Sequence, residues 1–376
     1  MIDPKRVIRV LVVDDSAFMR HAIVKMLAAQ DDILVVGTAS TGEEGVALQL
    51  ALRPDVITMD VEMPGIGGLE ASRRIVAQRG PPIIIISSLT REGAQTTFAA
   101  LEIGAVDFIP KPDSVVFDIL NVRDELLDKI RFFGARGAGR RPLPIRAAAH
   151  VPLAPAASVP KSVPAAAVTA ATLRGNVARC GPFECVAIGT STGGPVALST
   201  VLPKLPKAFP LPIVIVQHMP RGFTKPLAMR LNAASHISVV EGESGMRLTK
   251  GTAIIAPAGQ QLTLRRIGGC IELRLEEDVE KSLHVPSVDI MAAAVGDMFG
   301  AGALGVILTG MGHDGVVGLG VIKKNGGYVI GQDEASAVVY GMPRAAAVAG
   351  LVDRVVALDD VARTLCEIVG VAYVAE

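Results

Sequence analysis

The richest chemistry in this sequence sits in Cys185-Val186-Ala187-Ile188-Gly189-Thr190-Ser191-Thr192-Gly193-Gly194-Pro195. A short apolar run reads as a buried parallel strand. It ends in small residues and glycines that cannot continue it, and Pro195 suits the first turn of a helix. A hydroxyl on such a turn is presented at the carboxyl edge of a sheet. Glycines let a substrate approach the backbone, and the free N–H groups of the helix start face a developing oxyanion. Ser191 is therefore a candidate nucleophile, although the stretch alone reads equally well as a Ser/Thr-rich cap or a phosphate-binding turn.

Two further apolar runs lead to polar residues. One ends on His218-Met219-Pro220, the other on Gly310-Met311-Gly312-His313-Asp314-Gly315. An imidazole can take a serine proton, and a carboxylate can orient that imidazole and stabilise its charge. Ser191, His218 and Asp314 follow in that order, 27 and then 96 positions apart. Gly189-x-Ser191-x-Gly193 matches the hydrolase elbow, but the order of the partners is not that of the α/β-hydrolases, chymotrypsin or subtilisin. Taken singly, His218 reads as a loop histidine and Asp314 as a helix cap. His313 competes as the base, and His284 is placed to line the cleft.

A second set of polar residues lies in the first third. Asp14, Asp15, Asp60, Ser87 and Lys111 each fall at the end of an apolar run. In open α/β sheets that edge is where ligands bind. Carboxylates crowded there repel one another by about 4 kcal/mol per close pair at moderate dielectric. A hard cation such as Mg²⁺, held by one or two carboxylates and waters, would neutralise them. The cation and Lys111 would then balance a phosphoryl group carried by one carboxylate.

These residues need elements to hold them. The spacing predicts strands at 7–13, 33–37, 55–59, 83–86 and 106–109. Helices are expected at 16–30 (with Phe18, Ile23, Val24 and Leu27 on its apolar face), 41–52, 94–103 and 122–132. Strands are next expected at 212–217, 252–256, 304–309 and 328–331, and a hairpin at 262–266 and 270–275. The accompanying helices fall at 196–202, 224–233, 287–299, 315–324 and 336–348. Alternating strands and helices predict an α/β chain of two doubly wound, mainly parallel sheets. The expected division is 1–133, a linker over 134–179, and 180–376. Residues 131–182 hold no Asp or Glu, eight Arg or Lys and seven prolines. Such a stretch reads as a flexible connector spanning on the order of 35–40 Å.

The 376 residues suffice for two cores, and the net charge of zero gives no field that would attract nucleic acid. Four cysteines without CxxC pairing read as reduced thiols. The N-terminus carries no apolar run long enough for a signal peptide, and no stretch reaches membrane-spanning length, so a cytoplasmic location is expected.

Residues 7 to about 132 resemble a response-regulator receiver domain, through VLVVDDS, ITMDVEMPGIGGLE, the pair Ser87-Ser88 and FIPKP. The resemblance implies that Asp60 accepts phosphate from a histidine kinase. It also implies that Asp14, Asp15 and Asp60 hold Mg²⁺, and that Ser87 and Lys111 contact the phosphoryl group. Phe108 would be the aromatic that reorients on activation. Residues 183–370 resemble the catalytic domain of the chemotaxis methylesterase family, CheB, through AIGTSTGGP, VQHMPRGFT, HVPSVDIM, ILTGMGHDG and YGMPRAA. That resemblance implies hydrolysis of glutamate γ-methyl esters on chemoreceptors, with receptor glutamine deamidation. Ser191 would be nucleophile, His218 base and Asp314 its orienter, with the backbone N–H groups of Thr192 and Met311 lining the oxyanion region. No cofactor is implied for the ester chemistry. Two rival readings are a phosphorylation-dependent binding module with an inactive hydrolase half and a small-ester hydrolase that uses no receptor.

Overall fold

The structure is a computed structural model, and it describes residues 7–88, 90–111, 116–135, 182–278 and 282–373. The predicted linker over 134–179 lies almost wholly outside the described residues. Val- and Ile-rich runs form strands whose side chains are buried on both faces, as parallel strands covered by helices must be.

The first unit runs β1 (Ile8–Val13), α1 (Ala17–Ala28), β2 (Ile33–Ala39), α2 (Gly42–Leu52), β3 (Val56–Asp60), α3 (Gly67–Ala77), β4 (Ile83–Ser87), α4 (Arg91–Ile103), β5 (Asp107–Pro110) and α5 (Val116–Gly134). Its sheet is parallel, in the order β2-β1-β3-β4-β5. The hydroxyls of Ser16, Thr41 and Thr90 cap α1, α2 and α4 by accepting from Met19, Glu44 and Gly93 amides.

The second unit continues β6 (Cys185–Thr190), α6 (Gly194–Val201), β7 (Ile213–Gln217), α7 (Thr224–Ala234), β8 (Ser238–Glu241) and β9 (Thr252–Ile255). A hairpin of β10 (Gln261–Ile267) and β11 (Cys270–Glu276) follows. Then come α8 (Val288–Phe299), β12 (Ala303–Ile307), α9 (Val316–Lys324), β13 (Tyr328–Gln332), α10 (Met342–Val348), β14 (Arg354–Val356) and α11 (Val361–Val369). The large sheet is parallel, in the order β14-β13-β12-β6-β7-β9-β8, and the antiparallel hairpin stands apart from it. From β6 the chain builds outward through β7 on one side. It later returns to place β12 on the other, so β6 flanks the point where strand order reverses.

Several expectations need correction. Phe18 is 78% exposed, because α1 turns Met19, Ile23 and Leu27 inward and Phe18 lies about 100° round the helix from Met19. Helix α3 was not foreseen: it opens on Gly67-Gly68 and has no side-chain cap. Gly68 is needed there, since a Cβ would stand 1.7 Å from the Asp60 carbonyl oxygen. The edge strands β8 and β14 are too short to show a period, and α11, whose apolar residues do recur at helical spacing, has no side-chain cap to mark its start. The helix expected from 336 begins only at Met342. The Ser336 hydroxyl turns back onto Asp333, and Pro343 occupies the first turn of α10.

The two units touch. Helix α4 packs against α6 and α7. Phe223, fully buried, meets Phe98 with ring centroids 6.3 Å apart and Phe108 at 4.7 Å. Arg230 Nε donates to Glu102 Oε1 at 2.9 Å. A second apolar cluster fills the α1 and α5 face of the first unit. It takes in Val339, and Met311 and Val338 pack against it.

Candidate active site and phosphoacceptor site

Register decides which residues meet at the large sheet's edge. Thr190 on β6 lies opposite Gln217 on β7. The next residue of each strand, Ser191 and His218, therefore emerges beside the other at the carboxyl edge, where neighbouring strands are about 5 Å apart. From β12 on the other side, the Thr309 carbonyl accepts from the Ser191 amide at 3.0 Å and from Thr190 Oγ1 at 2.8 Å. Gly193 takes a left-handed φ of 78° as the chain turns into α6. Gln217, 1% exposed, fastens the Ser191 loop to the His218 loop. Its Nε2 donates to the carbonyls of Ser191 at 2.9 Å and His218 at 2.7 Å.

His218 Nε2 faces Asp314 Oδ2 at 2.7 Å. The rest of the carboxylate is occupied by the start of α8. Oδ1 accepts from Ser287 Oγ at 2.9 Å and the Asp289 amide at 3.0 Å, and Oδ2 from the Val288 amide at 2.7 Å. Burial is the largest single influence on Asp314 and opposes its ionisation. The hydrogen bond and charge of His218, together with the two amides, outweigh it and hold the carboxyl well below the usual range. Asp289 Oδ1 in turn accepts from the Gly315 and Gly318 amides, each at 2.9 Å, which fixes the loop carrying Asp314. Burial and the Asp314 charge push the Asp289 carboxyl up.

With Nε2 turned to Asp314, Nδ1 is the His218 nitrogen left to accept a proton. It is buried and has no hydrogen-bond partner, so Ser191 Oγ is not bonded to it in this conformation. Contacts of this kind are often loose without substrate and tighten in the reacting complex. The Thr192 and Met311 amides make no backbone hydrogen bond among the described residues, which leaves both N–H groups available. Thr309 Oγ1 donates to the Thr192 carbonyl at 2.9 Å, and Gln332 Oε1 accepts the Thr309 amide at 2.7 Å, bracing that loop. His313 is exposed. His284 stacks on His218, with ring centroids 4.1 Å apart and planes 15° from parallel. Burial, and then the proximity of His218, lower its pKa to about 4.

At the first sheet's edge, Asp14, Asp15 and Asp60 each offer an oxygen, all within 4.8 Å of one another. Asp14 and Asp60 are fully buried, whereas Asp15 is exposed. Lys111 Nζ lies 2.7 Å from Asp60 Oδ2 and 3.5 Å from Asp14 Oδ2. The longer distance is an ion-pair contact, and Asp14 Oδ2 has no hydrogen bond. Burial raises the Asp60 carboxyl to about 6 against the pull of Lys111, and raises Asp14 as well. An under-satisfied buried oxygen among three converging carboxylates is a donor set that fits a hard divalent cation. Ser87 is placed differently from the expectation of a phosphoryl contact. Its hydroxyl donates toward the Gly93 carbonyl at 3.2 Å and accepts from Thr97 Oγ1 at 2.6 Å, so it is turned into α4.

Sequence reasoning missed Gln217, Ser287 and Asp289 as supports of the site. Only the HVPSVDIM stretch carried a hint, through Ser287 as a helix cap.

Known proteins resemble the chain along both units. The family described as response regulator receiver domain matches residues 10–117, and the family described as CheB methylesterase matches residues 186–365. A protein-glutamate methylesterase/protein-glutamine glutaminase 1 of Oleidesulfovibrio alaskensis is 44% identical over 368 residues, covering 95% of this chain and 98% of its own. A protein-glutamate methylesterase/protein-glutamine glutaminase 2 of Nitratidesulfovibrio vulgaris is 45% identical over 360 residues, covering 95% and 98%. Among solved structures, the Thermotoga maritima CheB methylesterase catalytic domain aligns at 40% identity with a TM-score of 0.49, covering 50% of this chain and 98% of that one. At such identity over nearly its whole length, this chain belongs to the CheB family of methylesterases that carry a response-regulator receiver domain.

Proposed function

We propose that this protein demethylates glutamate γ-methyl esters on chemoreceptors, and deamidates receptor glutamines, under control of phosphorylation at Asp60. The observation that carries the catalytic part is the His218–Asp314 bond, fixed by Ser287, Val288 and Asp289, beside the residue that follows Thr190 in register.

Ser191 Oγ attacks the ester carbonyl while His218 Nδ1 takes its proton and Asp314 stabilises the imidazolium. The negative oxygen of the tetrahedral intermediate accepts from the Thr192 and Met311 N–H groups. Removal of one such donor typically costs about 10²–10³ in rate. The intermediate collapses, His218 returns the proton to the leaving oxygen, and methanol departs. Water, deprotonated by His218, then attacks the acyl-enzyme and releases glutamate and free Ser191. With a glutamine side chain, the same step expels ammonia.

In the receiver, Asp60 is the acceptor of a phosphoryl group from a chemotaxis histidine kinase. Lys111 is already paired with it and would balance the added charge. Ser87 would have to turn from Gly93 to reach the phosphoryl oxygens. Asp14, Asp15 and Asp60 would hold Mg²⁺, which when bound screens the negative charge of the transferring group. No helix among the described residues is long and apolar enough to cross a membrane, and the reading places the protein in the cytoplasm.

Two variants test the reading. Ser191→Ala should cut methanol release from methylated receptors by at least about 10³-fold; unchanged release would refute the nucleophile. Acetyl phosphate with Mg²⁺ should label the wild type and leave Asp60→Asn unlabelled, and equal labelling of the two would refute the acceptor. Equal activity on small soluble esters and on receptors would favour the small-ester hydrolase.

A further inference from the structure

The mechanism above gives the ring of His284 no task, although it lies at the large sheet's edge among His218 and Asp314. It lies face to face with His218, centroids 4.1 Å apart and planes 15° from parallel. It is not held there by chance of a loose loop. Its carbonyl accepts from Gln261 Nε2 at 3.0 Å, and Gln261 Oε1 accepts the Ser287 amide at 2.8 Å. The Val285 carbonyl accepts from the Gly259 amide at 2.9 Å. The segment 284–289 therefore presents a ring to one face of His218 and three hydrogen-bond donors to Asp314.

We infer that His284 is a positioning residue for the hydrolysis: its uncharged ring, stacked on His218, fixes the plane of the base and accommodates the positive charge that base acquires. The inference rests on the Ser191–His218–Asp314 reading.

The physical case has two parts. Asp314 grips only one edge of the imidazole, Nε2, and a single hydrogen bond leaves the ring free to rock about that axis. A parallel neighbour removes this freedom and so fixes the direction of Nδ1. A misplacement of about 1 Å at such a site can cost about 10²-fold. The second part is charge. The groups that face His284 are His218, Asp314 and His313. Of these, His218 must become cationic during acylation. Two stacked cations would repel, so His284 serves only while neutral. Its face then offers polarizable π density to the imidazolium. The burial that disfavours protonation of His284 keeps it neutral through the working pH range.

Three substitutions in the full-length protein separate stacking from charge. The readouts are kcat and KM for methanol release from methylated receptor membranes, the pH profile of kcat/KM, and the melting temperature. His284→Ala removes the ring and should lower kcat about ten- to a hundredfold, with KM within about twofold. His284→Phe restores a neutral planar partner and should recover most of that loss. His284→Arg keeps a planar group but adds a permanent charge. It should lower kcat as Ala does, and move the acid limb of the profile to lower pH, because a cation beside His218 disfavours its protonation. A merely structural role would make kcat follow melting temperature across the three variants and leave the acid limb in place. That result overturns the proposal, as does wild-type kcat in both Ala and Arg variants. Ser191→Ala is assayed alongside: if it stays active, the triad reading has failed, whereas an inactive Ser191→Ala with indifferent His284 variants sinks only the positioning role.

Discussion

In the proposed mechanism, Asp314 would join catalysis and stability in a single carboxylate. Its folded-state pKa lies below the unfolded value of 3.8. The ionised form therefore contributes stability that is fully present above about pH 4 and is lost as pH falls further. Asp314→Asn keeps the shape but weakens every bond made by Ser287, Val288 and Asp289, and favours the wrong imidazole tautomer. The variant should melt at a lower temperature than the wild type at pH 7. The gap should begin to close as pH drops below about 4, because the unfolded chain then takes up a proton that the folded carboxylate, with its lower pKa, still refuses. A gap that widens on acidification would show that the carboxylate is not held in its charged form.

At the scale of elements, α5 is anchored to β5, whose Phe108 meets Phe223 of the second unit. Lys129 on α5 is buried. Its Nζ donates to the Phe108 carbonyl at 2.8 Å and pairs with Asp107 at 2.9 Å and Glu125 at 2.6 Å. Burial is the largest influence and favours the neutral amine, but the two carboxylates outweigh it and keep the ammonium charged. Lys129→Met would leave Asp107 buried without its counter-charge. Breaking a buried pair this way costs about 3–5 kcal/mol. Chemical denaturation should show that loss in the receiver's transition, with the catalytic unit's transition in place. A loss below about 1 kcal/mol would show that Asp107 is rescued by water. The same lysine stands 5.9 Å from the centre of the Phe108 ring, whose other neighbour is Phe223, five residues past His218. Rearrangement of β5 thus has a short physical path to the base loop.

For the whole molecule, the contact between units sets the receiver against the elements that follow the loops carrying Ser191 and His218. Helix α4 lies across α6 and α7, whose first residues follow the nucleophile and base loops, and Met311 packs against a cluster that belongs mainly to the receiver. The Arg230–Glu102 pair at this contact is partly exposed and so worth about 1 kcal/mol or less. Arg230→Glu sets two like charges together and should loosen the contact. Methanol release without a phosphodonor should rise by up to about fivefold. Adding Glu102→Arg should bring it back down. If the single variant leaves unphosphorylated activity unchanged, this contact does not restrain the enzyme.

The sequence by itself determined a great deal: which runs are strands, where α1, α2 and α8 begin, and that Ser191, His218 and Asp314 each follow a strand's carboxyl end. These features are local. They depend on apolar runs both of whose faces are covered, on Ser or Thr at a helix start, and on glycines where no Cβ fits. Helices α3 and α11 carry apolar residues at helical spacing but no side-chain cap to mark where they begin, and β8 and β14 are too short to show a period and take their stability from neighbours. What only the tertiary structure decided is pairing at a distance. Register set Ser191 beside His218, Gln217 tied their loops together, the start of α8 filled the oxygens of Asp314, and His284 came to lie on the base. Ser87 shows the same limit: Thr97 and Gly93, brought near by α4, hold its hydroxyl in this conformation. A hydrogen bond or a stacked ring between residues tens of positions apart leaves no periodic trace in the chain, so only the packed molecule reveals it.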